Sequence, residues 1–174
     1  MSEYDPDYRW YVGFIGGSVA PYAAGSVGIS IRCVRGVSSI QAPNLADNGN
    51  GTATDSVNHL MWEQHANENE ALATRDWNAA IQYCQDLVLG GYSDWRLPDV
   101  TELTTIVDYS RSSHAIDSRV FYNSSTWSYY YWTSTPLAAP YPYLRIWEID
   151  FVNGAIGGSP FHFLNLTRCV RTIL

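Results

Sequence analysis

The stretch Gly90-Gly91-Tyr92-Ser93-Asp94-Trp95-Arg96-Leu97-Pro98 stands between two helical signatures and obliges the chain to turn a corner. Upstream, Trp77, Ala80, Ile81, Cys84 and Leu87 follow the i, i+3, i+4, i+7 spacing of one buried helix face, with Thr74 placed to cap it. Gly90-Gly91 stops that helix, because glycine reaches the left-handed backbone region that helix C-termini use. Downstream, Asp99 and Glu102 are spaced as a capping box, opening a helix with Leu103, Ile106 and Val107 inward. Pro98 keeps Leu97 out of helical geometry. Trp95 and Leu97 are therefore expected in a core at the corner, with Asp94 and Arg96 facing outward or capping.

A chain of 174 residues, 46% hydrophobic and 16% charged, fits one domain with a sizeable core and is too apolar for disorder. Most of its seven Trp and thirteen Tyr are expected to fill that core. The net charge of −7, with no cluster of Lys and Arg, argues against nucleic acid or an anionic membrane as partner. No apolar run approaches the roughly eighteen residues of a membrane span, so no membrane insertion is expected. Met1-Ser2-Glu3-Tyr4-Asp5 lacks signal-peptide character, which implies either a removed leader or an excised piece. The histidines His59, His65, His114 and His162 show no metal-ligand spacing. No nucleophile elbow, phosphate loop or dinucleotide fingerprint occurs. Neither metal nor cofactor nor catalytic residue is expected.

Residues 1–36 read as a second copy of the chain's own ending. Arg9-Trp10-Tyr11-Val12-Gly13-Phe14-Ile15-Gly16-Gly17-Ser18-Val19 parallels the block from Ile146 to Ile156, and Arg32-Cys33-Val34-Arg35 parallels Arg168-Cys169-Val170-Arg171. Residue 9 aligns with 146 and residue 32 with 168, offsets of 137 and 136. Such self-similarity is the mark of repeated modules, and this segment is the closing hairpin of one. A lone hairpin is marginal in water and needs a host. The host is this domain's own sheet edge, an upstream module, or a neighbouring copy; the last gives an open head-to-tail assembly.

Residues 37–49 lack periodicity and read as a linker. Asp47 to Asp55 offers alternating oxygen ligands, as a calcium loop does, but no acidic residue stands at its twelfth position and its Asn-Gly steps favour a hairpin turn. Leu60-Met61-Trp62 reads as a buried first strand and Glu63 to Ala73 as a polar loop. Ala115-Ile116-Asp117 and Val120-Phe121 are the inward anchors of an otherwise Ser-, Asn- and Tyr-rich stretch from Ser110 to Tyr129. Tyr129 to Thr135 reads as a strand whose alternation sends Tyr130 inward with Trp132, and Tyr129 and Tyr131 to the other face. A proline-stiffened loop from Pro136 to Tyr143 follows. Leu144 to Phe151 is a strand, Asn153-Gly154 its turn, and Phe161 to Val170 the closing strand. Asn50, Asn123 and Asn165 begin Asn-X-Ser/Thr sequons.

Taken in order, Asn50-Gly51-Thr52-Ala53-Thr54-Asp55, Leu60-Met61-Trp62, Ala80 to Cys84, the Gly-Gly-Tyr-Ser-Asp-Trp-Arg-Leu-Pro run, Ala115-Ile116-Asp117, Tyr131-Trp132-Thr133-Ser134-Thr135 and Arg168-Cys169-Val170-Arg171 resemble one family across residues 45–172. It is the C-terminal domain family of bacterial collagen-like adhesins, a C-type-lectin-like module of secreted and surface proteins. The resemblance implies an α+β, C-type-lectin-like fold: two helices, a small mostly antiparallel sheet and a long irregular loop region, here with an N-terminal β-hairpin arm. The arm is residues 1–36 and the domain residues 37–174. It also implies Trp132 in the core and a disulfide between Cys84 and Cys169, in an extracellular or cell-surface setting. The alternative is three buried thiols in a reducing compartment. Cys33 is the odd cysteine, free or intermolecular.

Trp95-Arg96-Leu97-Pro98 also occurs in formylglycine-generating enzymes, whose chemistry needs reactive cysteines in a cleft. With Cys84 and Cys169 bonded, no enzyme is expected. The expected function is non-catalytic recognition, with a glycan stacked on Trp127, Tyr129, Tyr131, Tyr141 and Tyr143. The rival is a subunit of an extracellular filament or tandem array, a homo-oligomer or polymer formed through residues 1–36, with Trp10, Phe14 and Cys33 at the junction.

Overall fold

The computed structural model describes residues 8–13, 18–23, 33, 35, 44–65, 74–111, 114–121, 130–138 and 144–173. In chain order the strands are β1 (Tyr8–Gly13), β2 (Ser18–Ala23), β3 (Leu45–Asp47), β4 (Thr52–Asp55), β5 (Leu60–Glu63), β6 (Tyr130–Leu137), β7 (Arg145–Asp150), β8 (Ala155–Pro160) and β9 (Val170–Thr172). Among the described residues, two helices, α1 (Trp77–Asp86) and α2 (Val100–Thr104), stand between β5 and β6. A five-stranded antiparallel sheet runs β1-β2-β8-β7-β6, and a four-stranded one β3-β4-β5-β9. The expected α+β, C-type-lectin-like architecture is therefore overturned. The described residues are mostly β structure in two antiparallel sheets, and the helices are only ten and five residues long. The reason lies in the second helical signature: α2 ends at Thr104, and Ile106 and Val107 reach the core from the turn beyond it.

Local chemistry fixes the corner between the helices. Asp76, not Thr74, caps α1, its side chain accepting from the Ala79 N–H at 2.9 Å. Ala80 and Cys84 are fully buried, with Trp77, Ile81 and Leu87 packed around them, as the periodicity required. The glycine pair does not stop α1 as expected: the helix ends at Asp86 with Leu87 extended, and the pair, at φ +62° and +86°, builds the later turn that pairs Leu89 with Tyr92. A Cβ at Gly90 would stand 2.8 Å from Thr52 Cγ2, so this glycine serves both the turn and a close approach to β4. Both halves of the Asp99–Glu102 capping box are made, at 2.8 and 2.9 Å. Trp95 and Leu97 are buried, while Asp94 pairs outward with Arg171.

Strands β6 and β7 bury side chains on both faces of their sheet. One cluster, with Trp62, Leu103, Ile106, Phe121, Tyr131 and Ile149, lies on the α2 side; the other gathers Cys84, Trp95, Leu97, Trp132, Ile146 and Cys169 under α1. Tyr131, Trp132 and Thr133 are consequently buried in succession, while Tyr130 is 44% exposed. Tyr131 does take the opposite face from Trp132, but that face is buried as well, and Tyr130, expected inward, is exposed; simple alternation presumes one wet face, and this strand has none over residues 131–133. Leu45–Asp47, expected within a linker, pairs with β4 as a hairpin. The closing strand is three residues; Phe161, Phe163 and Leu164, expected within it, are exposed. Asn165 is buried with its amide donating to Glu148 at 2.7 Å, which closes that sequon to modification in the folded chain.

Cys84 and Cys169 form a disulfide across a sequence separation of 85 residues. Closing a loop of that size stabilises by about 4–5 kcal/mol in the chain-entropy model. Cys33 is free and exposed. The arm's hairpin is present as β1 and β2, and its host is the domain's own sheet, with Val19 paired to Ile156 on the edge of β8.

Candidate functional site

Among the described residues a shallow groove of about 520 Å³ opens between α2 and the face of β7 and β8, lined by Val100, Thr101, Thr104, Thr105, Trp147 and Ile156. That volume lies within the range of small-ligand sites. Its walls are held from below. The Val100 N–H donates to Thr135 Oγ1 at 3.0 Å and the Ser134 N–H to the Pro98 carbonyl at 2.7 Å, fastening the start of α2 to β6. Thr133 Oγ1 donates to the Trp147 carbonyl at 2.8 Å, fixing the backbone that carries the indole. Thr104 and Thr105 donate their hydroxyl protons to the Val100 and Glu102 carbonyls, which leaves their oxygens able to accept. Among the described residues, none of the lining side chains is ionisable. These side chains can stack against and hydrogen-bond a neutral ligand.

Of the sequence-derived ligand surface, only Tyr131 falls among the described residues. Tyr131 is 1% exposed, edge-on to Phe151 at 5.1 Å between ring centroids, and is a core residue. Trp127, Tyr129, Tyr141 and Tyr143 lie outside the described residues, as does Phe14. Trp10 stands on β1 opposite Pro21 of β2. The groove was missed because Thr101, Trp147 and Ile156 come from separate elements; a tryptophan between Ile146 and the carboxylate of Glu148 reads simply as strand. Phe161, His162 and Phe163 form an exposed edge-to-face ladder at 5.5 and 5.3 Å, in a segment expected to be strand.

A buried polar network also escaped the sequence. Glu63 Oε1 accepts from the Tyr83 hydroxyl at 2.5 Å and Oε2 from the Cys169 N–H at 3.0 Å. Arg168, 1% exposed, donates through Nη1 to the carbonyls of Glu63 and Gln64 at 2.6 and 2.8 Å and lies 4.5 Å over the Phe121 ring. Burial raises the pKa of Glu63, against the opposing pull of Tyr83, the Cys169 amide and the two arginines Arg168 and Arg75. Burial, then the neighbouring Glu63 carboxylate, also pushes the Tyr83 phenol up. Both Glu63 oxygens are engaged, so the network ties β5, α1 and the closing segment together.

Comparison with known proteins gives one match. No curated protein and no solved structure matches the chain. The family model of the Lcl C-terminal domain matches residues 51–171, well over half of the sequence. The match carries the family expected from the motifs, without the collagen-like and C-type-lectin attributes that the resemblance had implied. Those residues hold α1, α2, the disulfide and most of both sheets. The chain belongs to the Lcl C-terminal domain family, surface or secreted adhesin-like modules.

Proposed function

We propose that this chain is a non-catalytic extracellular recognition module that takes a glycan in the groove between α2 and β7–β8. The observation that carries the proposal is the lining that the described residues form: one indole, two aliphatic side chains and three threonines, none of them ionisable. Sugars present apolar C–H faces that pack on an aromatic ring, and hydroxyls that exchange hydrogen bonds with neutral acceptors. The adhesin-like family and the disulfide agree with work in an oxidising, extracellular setting. On a glycan array, Trp147→Ala is expected to weaken binding by about tenfold or more, roughly the loss of one buried ring contact. Phe163→Ala, an exposed aromatic away from the lining, should leave it unchanged. Absence of any binding by the native chain overturns the proposal. Binding that survives Trp147→Ala but is lost with Tyr141→Ala and Tyr143→Ala moves the site to the proline-stiffened loop.

A different observation favours a second reading, in which the chain is a building block of an extracellular array. The hairpin β1–β2 repeats β7–β8 and sits on its edge. Val19→Pro sets a second proline in β2, at the residue through which it pairs with β8, and weakens that pairing. If the arm covers a joining surface, particle mass by light scattering rises in this variant. Unchanged mass with unchanged glycan binding leaves recognition as the only role.

A further inference from the structure

We propose that the outer edge of β8 is a twofold-symmetric joint between modules of this type. It takes the β8-equivalent strand of a second module, antiparallel, with Ile156 opposite its own counterpart. The inference rests on the array reading and specifies its contact.

The structural elements repeat more closely than the sequence alone conveys. Shifted by 137 residues, β1 (Tyr8–Gly13) becomes residues 145–150, the whole of β7, and β2 (Ser18–Ala23) becomes residues 155–160, the whole of β8. The internal registers also coincide. Tyr8 pairs with Ala23 as Arg145 pairs with Pro160, and Gly13 with Ser18 as Asp150 with Ala155. Across the junction Val19 pairs with Ile156, and residue 19 shifted by the same 137 is residue 156. Two equivalent strands running antiparallel, residue against equivalent residue, stand in the relation that a twofold axis produces. The order β1-β2-β8-β7 is therefore a hairpin and its copy, with the axis passing between Val19 and Ile156.

The occupant follows from this arrangement. The strand seated on β8 is itself a β8-type strand, so the edge selects its own kind. Proline bounds the contact on the arm side at Pro21, which has no N–H to give a ladder, and Gly157 and Gly158 bring no side chain to pack across the junction beside Ile156. The pairing is accordingly short. An isologous contact closes at two members. The joint makes pairs of modules, and the open head-to-tail polymer expected from the sequence cannot grow through this edge. In this chain the arm fills the joint from within; a second module fills it when the arm's strand is withdrawn.

The test uses the full chain in a Cys33→Ser background. Ile156→Cys alone is expected to stay a monomer that a short bismaleimide does not link, because β2 covers the position. Adding Val19→Pro is expected to give a particle of twice the 19.5 kDa chain mass, linked from residue 156 to residue 156 on peptide mapping. In a parallel chain, Val19→Cys with Ile156→Cys is expected to bridge within one molecule, which decides the seating of the arm even where the proline variant fails to fold. A double-cysteine chain that does not bridge overturns the proposal. So does a folded proline variant that remains a monomer, which overturns the array reading with it. Assemblies that form but link elsewhere, or grow past two chains, overturn the twofold joint and leave the array reading standing.

Discussion

Glu148 is a buried carboxylate on β7, accepting from Ser159 Oγ at 2.9 Å and from the Asn165 amide at 2.7 Å. Burial raises its pKa; the two hydrogen bonds and Arg145 oppose the rise, and neighbouring Asp150 adds to it. Burial raises Asp150 as well, and Glu63 behaves alike. An acid whose folded pKa is raised contributes stability that is complete below its ordinary value and lost as pH climbs through the folded value. Other carboxylates run oppositely. Burial pulls Glu102 and Asp108 up, but hydrogen bonds from Arg96 and the Asp99 amide, and from Ser110 and Arg111, leave both lowered; Asp117 is lowered chiefly by Arg119. Their stabilisation holds above the ordinary carboxylate range and fails as pH falls below it. The thermal midpoint should therefore be higher at about pH 5 than at pH 7 and fall again towards about pH 3. Glu148→Gln should flatten the rise between 7 and 5, as measured by scanning fluorimetry. None of this was legible in the sequence, because a Glu and an Asp two residues apart on a strand look like a solvated face until the second layer covers them.

At the scale of elements, the shortest code proved the most legible. The Asp99–Glu102 box, the Gly90-Gly91 turn and the Asn153-Gly154 turn each act within three or four residues, and each is present. Gly154 is required there, since φ is +76° and a Cβ would meet Val107 Cγ1 at 2.8 Å. What failed was anything set by a distant neighbour: the length of α2, the pairing of three-residue β3, and the two buried faces of β6. Asp99→Ala should cost about 1 kcal/mol in urea unfolding, the usual loss of a helix N-cap. Because α2 forms one wall of the groove, the same variant should weaken glycan binding without removing any lining residue. A binding loss with no stability loss would show Asp99 to be a ligand contact instead.

Over the whole molecule, the disulfide was legible from the family's motifs, and the repeat from the sequence itself; the groove was not, since it exists only once α2 is laid on β7 and β8. Replacing both Cys84 and Cys169 with serine should lower unfolding free energy by about 4 kcal/mol in the chain-entropy model, a large part of the 5–15 kcal/mol typical of a domain. Denaturant midpoints with and without reductant on the native chain provide the same comparison without substitution. The bridge has a further consequence wherever a protease meets the folded chain. The loop it closes runs from Cys84 to Cys169 and contains α2 and all of β6, β7 and β8. A single cut anywhere along it leaves two fragments still tethered through sulfur, so hydrolysis of one peptide bond there does not shed the module.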